Sequence, residues 1–303
     1  MFLNFSSIFK FHFSKSVYNL KYIFKLVYFR IFYHLPQVFF YEETIKNILE
    51  GGLSISRFGD GEMRLIEGES IEFQNYNPHL ASRLLDVIHA QHDRLIVGIP
   101  DVFNGLSSYK KNAVYAWRKH LSRYLNSWVK YTNPNVIYGN AFISRPYIIY
   151  KDSANSTHKF DKIKKLWEGR DILLVEGQKS RLGVGNKLFS NSNSVQRILC
   201  PIKNAFGCYD EILDSIKEKS KSKLILLALG PTASVLALDL TVFGFQALDI
   251  GHIDIEYEWF LQKAEWTERV QNKYVNEAIS GEPMNDFFDE IYQSQICKII
   301  SDK

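Results

Sequence analysis

An Asp-Gly-Glu triplet, Asp60-Gly61-Glu62, follows directly on a strand-like run from Leu53 to Phe58. Two carboxylates one residue apart at a strand end make a compact hard-oxygen site. Such a site suits Mg²⁺ or Mn²⁺, which keep coordination positions open for phosphate oxygens and water. Gly59 and Gly61 supply the backbone freedom a turn needs there, and Gly-Asp-Gly is also ordinary turn chemistry. Arg57, just upstream, adds a cation for a phosphate.

Three further segments carry chemistry. Glu176 to Lys187 combines Gly177, Gly183 and Gly185 with Lys179, Arg181, Asn186 and Lys187. Glycine N–H groups and these cations together make a diphosphate cradle, although the sequence is neither a Walker motif nor Gly-x-Gly-x-x-Gly. A solvated basic loop is the plainer alternative. Leu229 to Ser234 joins an apolar run to a helix start at Gly230-Pro231-Thr232. Free N–H groups there favour an anion, and Thr232 is also placed to cap the helix. Asp249 to Trp259 alternates His252, Asp254, Glu256 and Glu258 with Ile253, Ile255 and Tyr257. Extended, the four ionisable groups share one face; if a helix starts at Asp254, then Asp254 and Glu258 share one at i,i+4. Either geometry supplies general-base candidates.

The elements that position these groups follow from periodicity. Helices are expected over Tyr41–Leu49, closed by Gly51 and Gly52, and over Pro78–Ala90, Ser107–Trp128, His158–Trp167, Asn204–Ser220 and Pro231 to about Phe243. Strands are expected at Leu53–Phe58, Arg94–Ile99, Val136–Ile143, Asp171–Glu176, Val195–Cys200, Lys223–Leu229 and Phe245–Ile250. The tail from Glu268 to Ile300 reads as helices broken near Gly281-Glu282-Pro283. Apolar strands alternating with helices predict an α/β fold with a mostly parallel sheet covered on both faces. Ligands then bind at the carboxyl ends of the strands.

The 303 residues are 46% hydrophobic and 23% charged, ordinary for a globular chain. A net charge of +4 is too mild to argue for nucleic acid. Cys200, Cys208 and Cys297 have no metal-type spacing, and their odd number fits a reducing, cytoplasmic setting. Residues 1–41 differ from the rest: they contain no Asp or Glu, carry Lys10, Lys15, Lys21, Lys25 and Arg30, and are crowded with Phe and Tyr. No uncharged apolar run there is long enough to span a bilayer, and no signal-peptide cleavage site follows. Basic residues among aromatics suit peripheral contact with the inner face of the cell membrane; packing on the core serves the same pattern. The organisation expected is a basic, aromatic amphipathic segment at 1–41 followed by one domain at 42–303.

An ordered set of motifs resembles the bacterial GT-D type glycosyltransferases. It runs from Arg57-Phe58-Gly59-Asp60-Gly61-Glu62 through Val97-Gly98-Ile99-Pro100-Asp101, Ile143-Ser144-Arg145-Pro146-Tyr147 and Val175-Glu176-Gly177. It continues with Gly183-Val184-Gly185-Asn186 and Leu229-Gly230-Pro231-Thr232-Ala233, and ends at Asp249 to Trp259, covering about residues 45–265. The resemblance implies a Rossmann-like enzyme moving a sugar from a nucleotide donor. It also implies that Asp60 and Glu62, as an Asp-x-Glu motif, hold a divalent metal on the donor diphosphate.

The expected function is therefore transfer of a hexose from a UDP-sugar, UDP-glucose or a relative, to a glycan or lipid-linked acceptor. Mn²⁺ or Mg²⁺ would sit on Asp60 and Glu62. Arg57, Lys179, Arg181, Gly183, Gly185, Asn186 and Thr232 are the nucleotide and diphosphate candidates, and Asp254 or Glu256, with His252, would activate the acceptor hydroxyl if the reaction inverts, retention being equally open at this point. The alternatives are a membrane-held nucleotide-binding protein without catalysis and a metal-dependent phosphohydrolase.

Overall fold

The computed structural model describes residues 5–275 and 289–302, with side chains from residue 17 onward. The first half contains α1 (Phe5–Phe32), β1 (Gln37–Val38), α2 (Tyr41–Gly51), β2 (Ser54–Arg57), α3 (Asp60–Ile66), α4 (Pro78–Ile88), β3 (Leu95–Ile99), α5 (Lys111–Tyr131) and β4 (Ile137–Asn140). The second contains α6 (Ser156–Lys164), β5 (Asp171–Gly177), β6 (Ser194–Cys200), α7 (Tyr209–Lys217), β7 (Leu224–Ala228), α8 (Pro231–Val242), β8 (Gln246–Asp249), α9 (Ile253–Gln262), α10 (Glu290–Gln295) and β9 (Ile296–Ile299).

Among the described residues nine strands form one sheet in the order β1-β4-β3-β2-β8-β7-β5-β6-β9, with every adjacent pair parallel. Parallel pairing requires crossovers, and helices supply most of them. Residues of one strand alternate between two cores. On β5, Ile172 and Leu174 face one hydrophobic cluster and Leu173 and Val175 the other. A sheet buried on both faces explains why these strands read as unbroken apolar runs.

Local chemistry sets the helix ends. Asn77 Oδ1 accepts from His79 N and Leu80 N to start α4, whose first residue is Pro78. Gly52 closes α2 in the left-handed conformation, at φ 59°.

Three features depart from the expected elements. The triplet at 60–62 is the first turn of a helix, α3, rather than a loop; Gly59 N donates to Glu62 Oε2 at 2.7 Å, and two carboxylates suit a helix N-terminus. The tail does not end in helix: β9 pairs with β6 from Arg197↔Ile296 to Leu199↔Ile299 and forms the sheet edge. The break expected at Gly281-Glu282-Pro283 lies outside the described residues. At the other edge, two-residue β1 pairs with β4. Helix α1 lies along α5, where Tyr22 and Phe29 are buried.

Candidate functional site

Where parallel strands leave a sheet, their loops crowd one edge, and the crevice falls where successive crossovers run opposite ways. Here β2 leads to β3 on one side, while β8 and β7 lie on the other. Asp60 and Glu62 leave β2; Asp249, Gly251 and His252 leave β8; Gly230 leaves β7; Asp101 leaves β3. The β2–β3 register pairs Arg57 with Gly98, so Asp60 and Asp101 each stand three residues beyond it on neighbouring strands.

Asp60 is exposed at the start of α3. Glu62 is half-buried, and burial pushes its carboxyl up to about 7, with the charges of Asp249 and Asp60 adding to the shift. A cation would relieve that concentration of negative charge, so the donor set fits a divalent ion. Among the described residues no cluster of three His, Cys, Asp or Glu gathers to hold a metal. A pair of carboxylates suits an ion completed by phosphate oxygens and water rather than a closed protein cage.

Arg57 spans the edge as a strut. Its Nη2 donates to Asp249 Oδ1 at 2.7 Å, its Nε to the Asp249 carbonyl at 2.6 Å, and its Nη1 to the Ala141 carbonyl at 2.9 Å and to Ser144 Oγ at 2.5 Å. Burial raises the Asp249 carboxyl and the Arg57 charge opposes the rise. The guanidinium packs so closely over Gly251, at φ 43°, that a Cβ there would overlap Nη2. Nothing in the sequence linked Arg57 to Asp249, because the two meet only through the β2–β8 adjacency.

The first turn of α8 is fixed to β2 by Ser234 Oγ donating to the Arg57 carbonyl at 2.7 Å, and by Ser56 Oγ donating to the Ser234 carbonyl at 2.9 Å. Thr232 does not cap this helix: its hydroxyl is fully buried and has no hydrogen-bond partner. Gly230, at φ 55°, lies under Phe73, with a Cβ there 2.6 Å from the ring. Beside it a cavity of about 50 Å³ is lined by Gly177, Ile202, Leu229, Phe73 and Tyr274.

The glycine-rich loop is knitted to α9. Gly183 N and Asn186 Nδ2 each donate to Asp254 Oδ1 at 2.8 Å, and Asn186 Nδ2 also donates to Glu258 Oε1 at 2.7 Å. Lys273 Nζ, buried, closes the network on Asp254 Oδ2 at 2.8 Å and Glu258 Oε1 at 2.7 Å. Arg181 Nη1 donates to the Asn272 carbonyl at 2.8 Å; Lys179, Gly185 and Lys187 are exposed. Glu176, near the end of β5 where this loop begins, pairs with Arg197 of neighbouring β6 and accepts from Leu182 N at 2.7 Å.

The helical alternative for residues 253–262 is the observed one. Sequence reading gave Asp254 and Glu256 as acceptor-activating candidates; the structure buries both. Asp254 is engaged as above. Glu256 Oε2 accepts from Tyr147 N at 3.1 Å and Ile148 N at 2.9 Å, with Arg145 Nη1 at 3.8 Å from Oε1, so it holds the Arg145-Pro146-Tyr147 turn. His252 is half-buried at the N-terminal end of α9.

Asp101, given no role by sequence reading, is partly exposed, and burial raises its carboxyl. Tyr109 Oη donates to its backbone carbonyl at 2.7 Å, while its carboxylate has no partner among the described residues. Its position at the end of a predicted strand was the available signal.

A family model described as "Glycosyltransferase GT-D fold" matches residues 55–278. A protein called "Probable glycosyl transferase Gly" from Streptococcus gordonii is 41% identical over 256 residues, 84% of this chain and 37% of the relative. "Glycosyltransferase GlyD" from Streptococcus pneumoniae is 39% identical over 84% of this chain and 31% of its own length. The chain thus spans about a third of these curated relatives. A solved structure presented as a new glycosyltransferase (DUF1792) from Streptococcus sanguinis superposes with TM-score 0.84 at 41% identity, covering 88% of this chain and 99% of that one. A second, presented as a conserved domain of unknown function with a distinct glycosyltransferase fold, gives TM-score 0.85 at 42% identity over 88% of this chain and 96% of that one.

Proposed function

This chain belongs to the GT-D glycosyltransferase family, and from that premise we propose that it transfers a hexose from a UDP-sugar to a glycan or lipid-linked acceptor. UDP-glucose or a related hexose is the expected donor, and the inner face of the cell membrane the expected place of work. The observation that carries the reading is the placement of Asp60 and Glu62 in the first turn of α3, at the sheet's switch point and near the α8 N-terminus.

Asp60 and Glu62 are the residues that would hold Mn²⁺ or Mg²⁺ on the donor diphosphate. When bound, the ion offsets charge developing on the leaving nucleoside diphosphate. The α8 N-terminus turns its positive dipole end toward the phosphates, while Thr232, one of the expected phosphate ligands, is buried beneath that edge. Lys179 and Arg181, with the backbone of Gly183 and Gly185, border the same edge. Arg57 holds β2, β8 and the turn after β4 together, and so fixes the carboxylates it stands between. Gly183, Asn186, Asp254 and Lys273 set the loop beside the donor.

Acceptor activation needs a base free to take a proton. Asp254 and Glu256 are committed to loop hydrogen bonds, which favours Asp101, with His252 bordering the β8 side. The acceptor hydroxyl passes its proton to Asp101, its oxygen bonds to the anomeric carbon, and the bond to the diphosphate oxygen breaks, the electron pair leaving with UDP. Attack opposite the leaving group inverts the anomeric carbon. Product anomer analysis by NMR tests this: an inverted linkage agrees, and a retained one removes Asp101 from the role.

A further inference from the structure

Helix α1 carries two opposed apolar stripes. Tyr22 and Phe29 face inward and are buried. Arg118 of α5 packs over the Tyr22 ring and donates to Asn19 Oδ1 at 3.3 Å, and Lys25 Nζ donates to the Arg123 carbonyl at 3.4 Å. On the other side Leu20, Phe24, Val27 and Ile31 recur at helical spacing, and all four are exposed, Phe24 and Ile31 each to 67%. Ile23, Tyr28 and Phe32 widen that stripe. A helix apolar on both sides belongs between two covering surfaces, and a contiguous exposed apolar patch marks an interaction site.

Charge identifies what covers the outer stripe. Residues 1–41 and 102–151 contain no Asp or Glu, and they supply α1 and α5, which pack together. Their exposed cations include Lys21 and Arg30 beside the stripe and Lys111, Lys119, Arg123 and Lys130 on α5. Of these, Arg123 pairs with Glu69. A second copy is a poor occupant, because a two-fold contact sets these cations against themselves. Among the described residues no helix is long and apolar enough to cross a membrane, and the inner face of α1 is already taken. Apolar side chains flanked by cations, on a helix lying flat, match the boundary between acyl chains and anionic headgroups. At the C-terminal end of α1 a recess of about 580 Å³, lined by Arg30, His34, Gln37, Phe40, Glu43 and Asn104, continues the surface.

We propose that α1, backed by α5, is an in-plane docking surface for an anionic lipid bilayer. Its outer stripe enters the headgroup boundary, and the cations of both helices meet lipid phosphates. The proposal rests on the transferase reading only for its purpose, which is to bring a lipid-linked acceptor to the catalytic edge.

The test is co-sedimentation of the full chain with phosphatidylcholine vesicles, with and without phosphatidylglycerol, for the wild type and a Phe24→Glu, Ile31→Glu double variant. Both side chains are exposed, so the fold should tolerate the changes. The wild type should bind the anionic vesicles, bind more weakly as salt screens the cations, and leave neutral vesicles largely unbound. The double variant should lose at least about tenfold in binding, given the apolar area withdrawn from the lipid. Absent binding by the wild type, or equal binding by the variant, overturns the proposal. So does a wild-type dimer in sedimentation velocity that the variant dissolves, since that assigns the stripe to a second copy. UDP release without vesicles is measured alongside. If the wild type binds vesicles but releases no UDP from any UDP-sugar, the transferase reading fails and the docking surface stands.

Discussion

Asp101 and Asp60 occupy equivalent places on neighbouring strands, and both fall in the family-like motifs, yet the sequence assigned a role only to Asp60. The triplet Asp60-Gly61-Glu62 was legible because its chemistry is local. Asp101 was not, because the proposed role rests on its carboxylate having no partner among the described residues, which only packing reveals. Asp101→Asn should lower transfer by about 10²–10⁴-fold, the usual worth of a positioned base, while UDP affinity measured by calorimetry stays unchanged. The sign of the pH dependence follows from burial, which raises this carboxyl. The base form is lost as pH falls through the raised value, so the acid limb of the rate profile lies higher than an ordinary Asp would give. Asn should remove that limb. Arg57 was legible as a cation but not as a strut. Gly251→Ala tests the strut: a left-handed φ costs about 1 kcal/mol for alanine, and the overlap with Arg57 adds to it. Urea unfolding should show that loss together with reduced activity.

At the scale of elements, the buried strands β5 and β7 were readable as apolar runs, and most helices stand within a few residues of their expected bounds. The short edge strands were not. β1 has two residues, and β9 pairs on one side only, so neither carries a long apolar run. The pairing of α9 with the glycine-rich loop was also hidden, because Lys273 lies far along the chain from Asn186 and no spacing rule joins them. Lys273→Met leaves buried Asp254 and half-buried Glu258 without their cation. The expected cost is about 3–5 kcal/mol, seen as a lowered Tm. A Lys273→Met, Glu258→Gln double variant should recover part of it, and an unchanged Tm in the single variant would contradict the network.

For the whole molecule, alternation of strand and helix was enough to give a parallel α/β sheet, but the order β1-β4-β3-β2-β8-β7-β5-β6-β9 was not. Strand order is decided by which crossovers pack, a long-range property that local pattern does not encode. The order matters, since it sets β2 beside β8 and brings Asp60, Glu62 and Asp249 to one edge. It also makes β9 the guard of β6. A chain ending before Asp289 should expose the β6 edge and aggregate on heating, as light scattering would show. The most direct measurement is UDP release from a panel of UDP-sugars with Mn²⁺, for the wild type, Asp60→Ala and Glu62→Ala. The wild type should turn over one donor, and chelator or either substitution should abolish that turnover. UDP bound tightly without turnover, indifferent to metal and to both substitutions, would contradict the transferase reading.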